Sequence, residues 1–381
     1  MSADDRKTML KHQRGFKSKA LLTPKRRRFL RQRTQMREDV FPFGELPNEC
    51  KVKILSYLTD REKCTAALVC TSWADLMRTP CLWTKADFVD LVYQQKSKHL
   101  PMTTFKYYFL QEKVKNFVDY LVSRRALIRE LHFEFDLQED KIWLKLLVDL
   151  LQMAHAQELH SVQCNWTYTP HVPWFLSGAA IDAKESRVTS FQKLLRVLQK
   201  TSAGIQSFTM PFDWSPYSVT LLCHFKSITS LELSKYWNFH SLPQRLLNSL
   251  LQELPKLRQF KLEVAVPFRD GELYPQYTMS SESLEELDIA ACSGFFLWSV
   301  TLPNLRRFCD SRTAWSGPVL PRKALKIQCL YDVMRNGTPK LQVFNTYQLT
   351  DGWRKTCPSK LEEVLRGTCY CEHHKSSPLI F

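Results

Sequence analysis

One short phrase recurs through most of this chain: an aliphatic residue, then large apolar residues three and five positions later. It stands at Ile128-Arg-Glu-Leu131-His-Phe133, Ile205-Gln-Ser-Phe208-Thr-Met210, Ile228-Thr-Ser-Leu231-Glu-Leu233, Leu257-Arg-Gln-Phe260-Lys-Leu262 and Leu284-Glu-Glu-Leu287-Asp-Ile289, with a truncated copy at Leu305-Arg-Arg-Phe308. Looser copies occur at Leu159, Leu325-Lys-Ile327, Leu341-Gln-Val-Phe344 and Leu361-Glu-Glu-Val364. Most intervals between anchors fall between 19 and 29 residues. A unit that short cannot bury its own apolar face, so neighbouring units must stack into a continuous core.

Each phrase alternates like a half-buried strand, whereas Lys141–Met153, Arg187–Lys200 and Leu242–Leu254 carry helical periodicity and are expected on the outside. The later, tightly spaced units leave room for only a helical turn. This pattern resembles the leucine-rich repeat over roughly residues 127–370, which implies an α/β solenoid with parallel strands inside and helices outside. Side chains between the inward apolar positions, such as Glu130, His132, Glu134, His160, Glu232, Lys261, Glu263, Asp288, Arg307 and Lys326, are expected on the inner polar face. Cys164, Cys292 and Cys369 lie five residues after the anchors Leu159, Leu287 and Val364, where such repeats place Asn or Cys, and are read as buried structural thiols.

A second pattern precedes the repeats. Leu46-Pro47-Asn48-Glu49 reads as a helix start, since Pro47 has no N–H to leave unpaired and Glu49 suits the positive helix end. Cys50, Ile54, Leu55, Tyr57 and Leu58 follow at helical spacing. Asp60 is expected to cap a second helix and Ser72 to open a third, which Pro80 stops. Three short helices in so few residues leave much of their surface in water, so a partner is implied.

The order Leu46, Pro47, Glu49, Ile54, Leu55, Leu58, Leu68, Val69, Cys70, Trp73, Leu82 and Trp83 resembles the F-box, over residues 41–85. That resemblance implies that these residues dock on a Skp adaptor, and through it on cullin and RING subunits. With the repeats, it implies the substrate receptor of a Skp–cullin–F-box ubiquitin ligase. The resulting organisation is a basic disordered tail over 1–40, the F-box over 41–85, a helical connector over 86–126, the solenoid over 127–370 and a tail over 371–381.

Charge is concentrated at one end. Residues 1–37 hold thirteen Lys and Arg against Asp4 and Asp5, a net +11 that leaves +5 of the chain's +16 for the rest. Lys25, Arg26, Arg27 and Arg28 form a candidate nuclear-import or phosphate-contacting cluster, and Thr23 before Pro24 is a candidate phosphorylation site beside it. A rival reading follows: a nuclear scaffold whose tail contacts nucleic acid. The mixed charges of the inner face disfavour nucleic acid along the repeats.

Large aromatics follow the anchors: Trp166, Trp214, Trp237 and Trp315, with Phe268 and Phe295 slightly later, and Trp174 in the insertion near Trp166–Ser186. They read either as an exposed ridge that recognises a target or as an internal spine between units. No nucleotide-type glycine loop, His-Glu-x-x-His or Gly-x-Ser-x-Gly is present, so a non-enzymatic subunit without a cofactor is expected. Without a signal-peptide core or a long apolar run, the twelve Cys are read as reduced thiols of the nucleus or cytoplasm, with no membrane contact. The run Cys369-Tyr-Cys371-Glu-His373-His374 has the residue types of a zinc site. Yet four ligands so close in sequence can hardly surround a tetrahedral ion, and the repeat claims Cys369, so no metal is expected.

Overall fold

The computed structural model describes residues 41–89, 104–135, 137, 141–168, 180–236, 242–266, 275–311 and 326–374. Contacts divide the chain into two compact units, Met1–Tyr57 and Leu58–Phe381.

In the first unit a 3-10 turn at Phe43–Glu45 precedes helix α1 (Asn48–Leu55). Pro47 stands at its N-cap, and Glu49 lies in its first turn, as the helix dipole favours.

The second unit opens with α2 (Asp60–Ala66) and α3 (Thr71–Leu76), followed by a 3-10 turn at Pro80–Leu82. The cap of α2 is Thr59, not the expected Asp60. Thr59 Oγ1 accepts from the Glu62 backbone N–H at 3.4 Å, while the Thr59 N–H donates to Glu62 Oε2 at 2.9 Å. This reciprocal box satisfies two otherwise orphaned donors. Helix α3 likewise starts one residue ahead of Ser72, with Cys70 at its N-cap. It ends at Leu76, before Pro80.

A mostly parallel ten-stranded sheet follows, alternating with helices. Its strands are β1 (Lys85–Asp87), β2 (Glu130–Phe135), β3 (Ser161–Tyr168), β4 (Ser207–Phe212), β5 (Ser230–Lys235) and β6 (Gln259–Leu262). Beyond an outer strand β7 (Gln276–Ser280) come β8 (Glu286–Asp288), an outer β9 (Phe296–Thr301), and β10 (Arg307–Cys309), β11 (Val343–Phe344) and β12 (Tyr347–Gln348). The order in the sheet is the order in the chain, with β7 and β9 left out to form a separate parallel pair. Only β11 and β12 pair antiparallel in the large sheet. Helices α4 (Thr104–Ser123), α5 (Lys141–Met153), α6 (Ala180–Thr201), α7 (Pro216–Leu222) and α8 (Gln244–Glu253) connect the early strands. Helix α9 (Leu330–Gly337) and helix α10 (Ser359–Thr368) complete the described chain.

Register explains why the phrase recurs. Ala86, Leu131, Val162, Phe208, Leu231, Phe260, Leu287, Phe308 and Phe344 are paired residue to residue across nine strands. All nine are buried. Their neighbours on either side in sequence point to the opposite face, because side chains alternate along a strand.

Several expectations need correction. The connector assigned to residues 86–126 supplies the first strand, since Ala86 pairs with Leu131. The crossings after β6 and β8 are the strands β7 and β9, not helical turns. Their sequences, Gln-Tyr-Thr-Met-Ser and Phe-Leu-Trp-Ser-Val-Thr, are rich in β-branched and aromatic residues. The phrase at Leu361–Val364 lies inside α10, where a spacing of four places Leu361 and Leu365 on a buried face. Lys326 and Ile327 are not in a strand. Their segment is instead held by Gln276, whose amide donates to the Lys326 carbonyl at 3.1 Å and accepts from the Gln328 N–H at 2.8 Å. Finally, Cys371 and His374 of the expected C-terminal tail are buried.

Candidate functional site

The expected adaptor-binding residues divide by exposure. In the first unit Pro47, Glu49 and Ile54 are exposed, Leu46 is half-buried, and Leu55 is turned inward. Tyr57 is 77% exposed and Ile54 41%. In the second unit Leu68 and Val69, in the turn after α2, are 86% and 63% exposed, while Leu58 and Trp73 are half-buried. In each unit by itself, large apolar side chains held this far into water mark surface available for contact.

Leu82 and Trp83 do a different job from the one expected of them. Both are fully buried. The Trp83 indole N–H donates to the Met77 carbonyl at 2.8 Å, and its ring meets Tyr120 edge-on at 4.9 Å. Lys63 is buried beside it, donating to the Leu82 carbonyl at 2.7 Å and to Asp60 Oδ1 at 3.0 Å. Its ammonium sits 5.4 Å from the Trp83 ring centroid. The pair therefore anchors α2 and α3, and with Leu55 is corrected from contact residue to internal support.

Residues 43–89 match the family described as F-box-like. A comparison with curated proteins returns no match. The F-box-like segment points to binding of a Skp-type adaptor of a ubiquitin ligase, the typical partner of F-box domains. Among the F-box-type residues, Ile54, Leu68 and Val69 are the large apolar side chains exposed to a partner.

The solvent-facing side of the sheet forms a second candidate surface. A shallow cavity of about 330 Å³ is lined there by Glu232, Lys261, Glu286, Asp288, Arg307 and Cys309, among others. Lys261 bonds Glu232 at 2.7 Å, and this contact raises its pKa from the ordinary lysine value. Charges of both signs alternate across these strands. At the far edge Asp87 lies 2.7 Å from Lys85 and 3.4 Å from His132. Burial alone would push the Asp87 carboxyl up, but the hydrogen bonds from His132 and Lys85 together outweigh it and hold it well below the usual carboxylate range.

Of the aromatic row, Trp214 and Phe295 have described side chains. Trp214 is buried and meets Phe212 edge-on at 5.1 Å, which removes it from any exposed ridge. Its φ of 52° places it in the left-handed region, where a bulky residue persists only because packing holds it. Phe295 is also buried, stacked on Tyr277 at 4.4 Å. Trp166 lies in β3 with its side chain outside the described residues, and Trp174, Trp237, Phe268 and Trp315 lie wholly outside them. So do Thr23, Lys25, Arg26, Arg27 and Arg28.

A thiol cluster whose C-terminal members the sequence reading discounted as a metal site comes together with one residue that reading did not count. Cys164 and Cys292 are buried as expected, and the Cys292 thiol donates to the Leu262 carbonyl of the preceding strand at 3.1 Å. Cys369 is different, because it follows α10 rather than a strand. Cys329, the N-cap of α9, joins Cys369, Cys371 and His374, and all four are buried with their ligand atoms within 4.8 Å of one another. His373, counted in the sequence argument against a metal, is exposed and takes no part. Contacts from Cys329 and Cys369 hold the Cys371 thiol far below its ordinary range, and the neighbouring Cys369 and Cys371 raise His374 to about 10. The only signal that could have found the fourth ligand was an unassigned cysteine 45 residues from His374.

Proposed function

We propose that the chain is the substrate-recognition subunit of a Skp–cullin–F-box ubiquitin ligase and carries no catalytic residue of its own. The F-box-like segment would meet the adaptor, and the adaptor would join it to cullin and RING subunits. The in-register strand row and its recurring phrase support reading the rest as a leucine-rich-repeat solenoid whose polar face holds a target protein. The contribution is proximity: a target lysine held near a ubiquitin-charged enzyme reacts as if the transfer were intramolecular.

The observation that carries this reading is the exposure of Leu68 and Val69 inside the F-box-like segment. Burying a leucine-sized side chain is worth roughly 1.5–3 kcal/mol. A Leu68→Ala, Val69→Ala variant should therefore lose at least tenfold in affinity for purified adaptor, measured by titration calorimetry, while its unfolding transition stays in place. Unchanged adaptor affinity in that variant overturns the reading.

The concentration of positive charge before residue 38 favours a second reading, a nuclear scaffold that contacts nucleic acid through its tail. On that reading, RNA or DNA affinity falls steeply with salt and survives deletion of residues 41–85. On the ligase reading, the same cluster serves nuclear import and the chain is found in nucleus and cytoplasm, with Thr23→Glu weakening import. Unchanged localisation of the Thr23→Glu variant removes the phosphorylation step from that account.

A further inference from the structure

We propose that Cys329, Cys369, Cys371 and His374 bind one structural zinc ion that ties the start of α9 to the end of α10. The observation is tertiary. Cys329 precedes α9 and Cys369 follows α10, while Cys371 and His374 come from the turn beyond it, so the ligands approach from separate directions. His374 Nδ1 lies 3.1 Å from Cys371 Sγ and 3.8 Å from Cys329 Sγ. A tetrahedral ion with Zn–S near 2.3 Å and Zn–N near 2.0 Å spans ligand edges of about 3.5–3.8 Å, so a set already within 4.8 Å closes with a shift of about 1 Å or less.

The surroundings are those of a ligand shell. The other imidazole nitrogen, His374 Nε2, faces Glu362 Oε2 at 3.3 Å, which fixes Nδ1 as the metal-facing atom and raises its basicity. The Leu330 N–H donates to Cys369 Sγ at 3.3 Å, a contact that orients the sulfur. Three soft sulfurs and one imidazole are a zinc donor set, and complete burial leaves no open position, which marks a structural rather than a catalytic ion. In the bound site the three cysteines are thiolates and the imidazole is neutral, with its Nε2 proton on Glu362.

The test uses the full chain, produced in zinc-containing medium under reducing conditions and passed over a chelating resin. The expected result is one zinc per chain, with X-ray absorption at the zinc edge giving three sulfurs and one nitrogen. Cobalt substitution should give the intense visible absorption of a tetrahedral, thiolate-rich site. Cys371→Ser and His374→Ala should lose the ion, whereas Cys357→Ser, a cysteine outside the cluster, should keep it. If the variants fail to fold, the absorption spectrum of the unaltered chain decides. Substoichiometric metal, a copper or iron ion in place of zinc, a shell of oxygen and nitrogen, or a mass deficit showing a disulfide among the three cysteines would each overturn the proposal.

Discussion

At the scale of single residues, neighbours in sequence have opposite duties. Leu68 and Leu82 read alike as large aliphatic positions of one short motif, yet one is 86% exposed and the other buried. Periodicity could place both on apolar faces but could not say which face was filled by the chain itself. Trp83→Ala removes a buried indole together with its bond to Met77, so it should cost about 3–5 kcal/mol of stability in denaturant unfolding. Leu68→Ala should stay within about 0.5 kcal/mol of the parent. Asp87 makes a pH prediction. Its carboxyl is depressed in the folded state, so it contributes stability above the ordinary carboxylate range, and that contribution is lost as pH falls through the folded value. Unfolding measured from neutral to acid pH should show a flatter dependence for Asp87→Asn than for the parent. An identical pH profile in the two proteins would remove the His132 and Lys85 contacts from the account of stability.

At the scale of elements, legibility followed local chemistry. Helix α5 appears over the span its apolar period predicts, and the strands β2, β4, β5, β6 and β8 begin within the recurring phrases. The Leu361–Val364 copy failed because a spacing of three suits a helix as well as it suits that phrase, and Pro358 at the N-cap starts α10 just before it. The α2 start was misplaced by one residue because Thr59, Asp60 and Glu62 are all good first-turn residues, and only the reciprocal Thr59–Glu62 bonds decide among them. Thr59→Ala should therefore cost about 1 kcal/mol, read as an earlier thermal transition. In the strand row, Leu231→Ala should cost about 2–5 kcal/mol, because neighbours in register on both sides cannot collapse into the space left. At the close approach of α9 to β9, a Cβ built on Gly337 would stand 2.0 Å from the Val300 carbonyl oxygen. Gly337→Ala must displace the helix or the strand, and should lower the thermal midpoint more than alanine at the open Gly204.

At the scale of the whole molecule, thiol exposure sorts by region. Cys50, Cys64, Cys70 and Cys81 are exposed, whereas Cys164, Cys223 and Cys292 are buried. Burial also raises the buried thiols above their ordinary range, Cys223 to about 11, so little reactive thiolate forms there. Brief alkylation of the native protein, mapped by peptide mass spectrometry, should label the first group before residue 82 and spare the second until denaturant is added. Early labelling of Cys164 or Cys292 would contradict the register of the strand row that encloses them.

The sequence by itself determined where most strands and early helices lie and that an F-box-like segment precedes them. Those properties depend on periods of two and of three to four residues, which neighbouring side chains carry. Only the tertiary structure decided that Trp83 is a support rather than a contact, that β7 and β9 pair outside the main sheet, and that Cys329 meets Cys369, Cys371 and His374. The reason is physical: a buried position or a ligand set is defined by what other segments bring to it, and a meeting across tens of residues leaves no period in the chain.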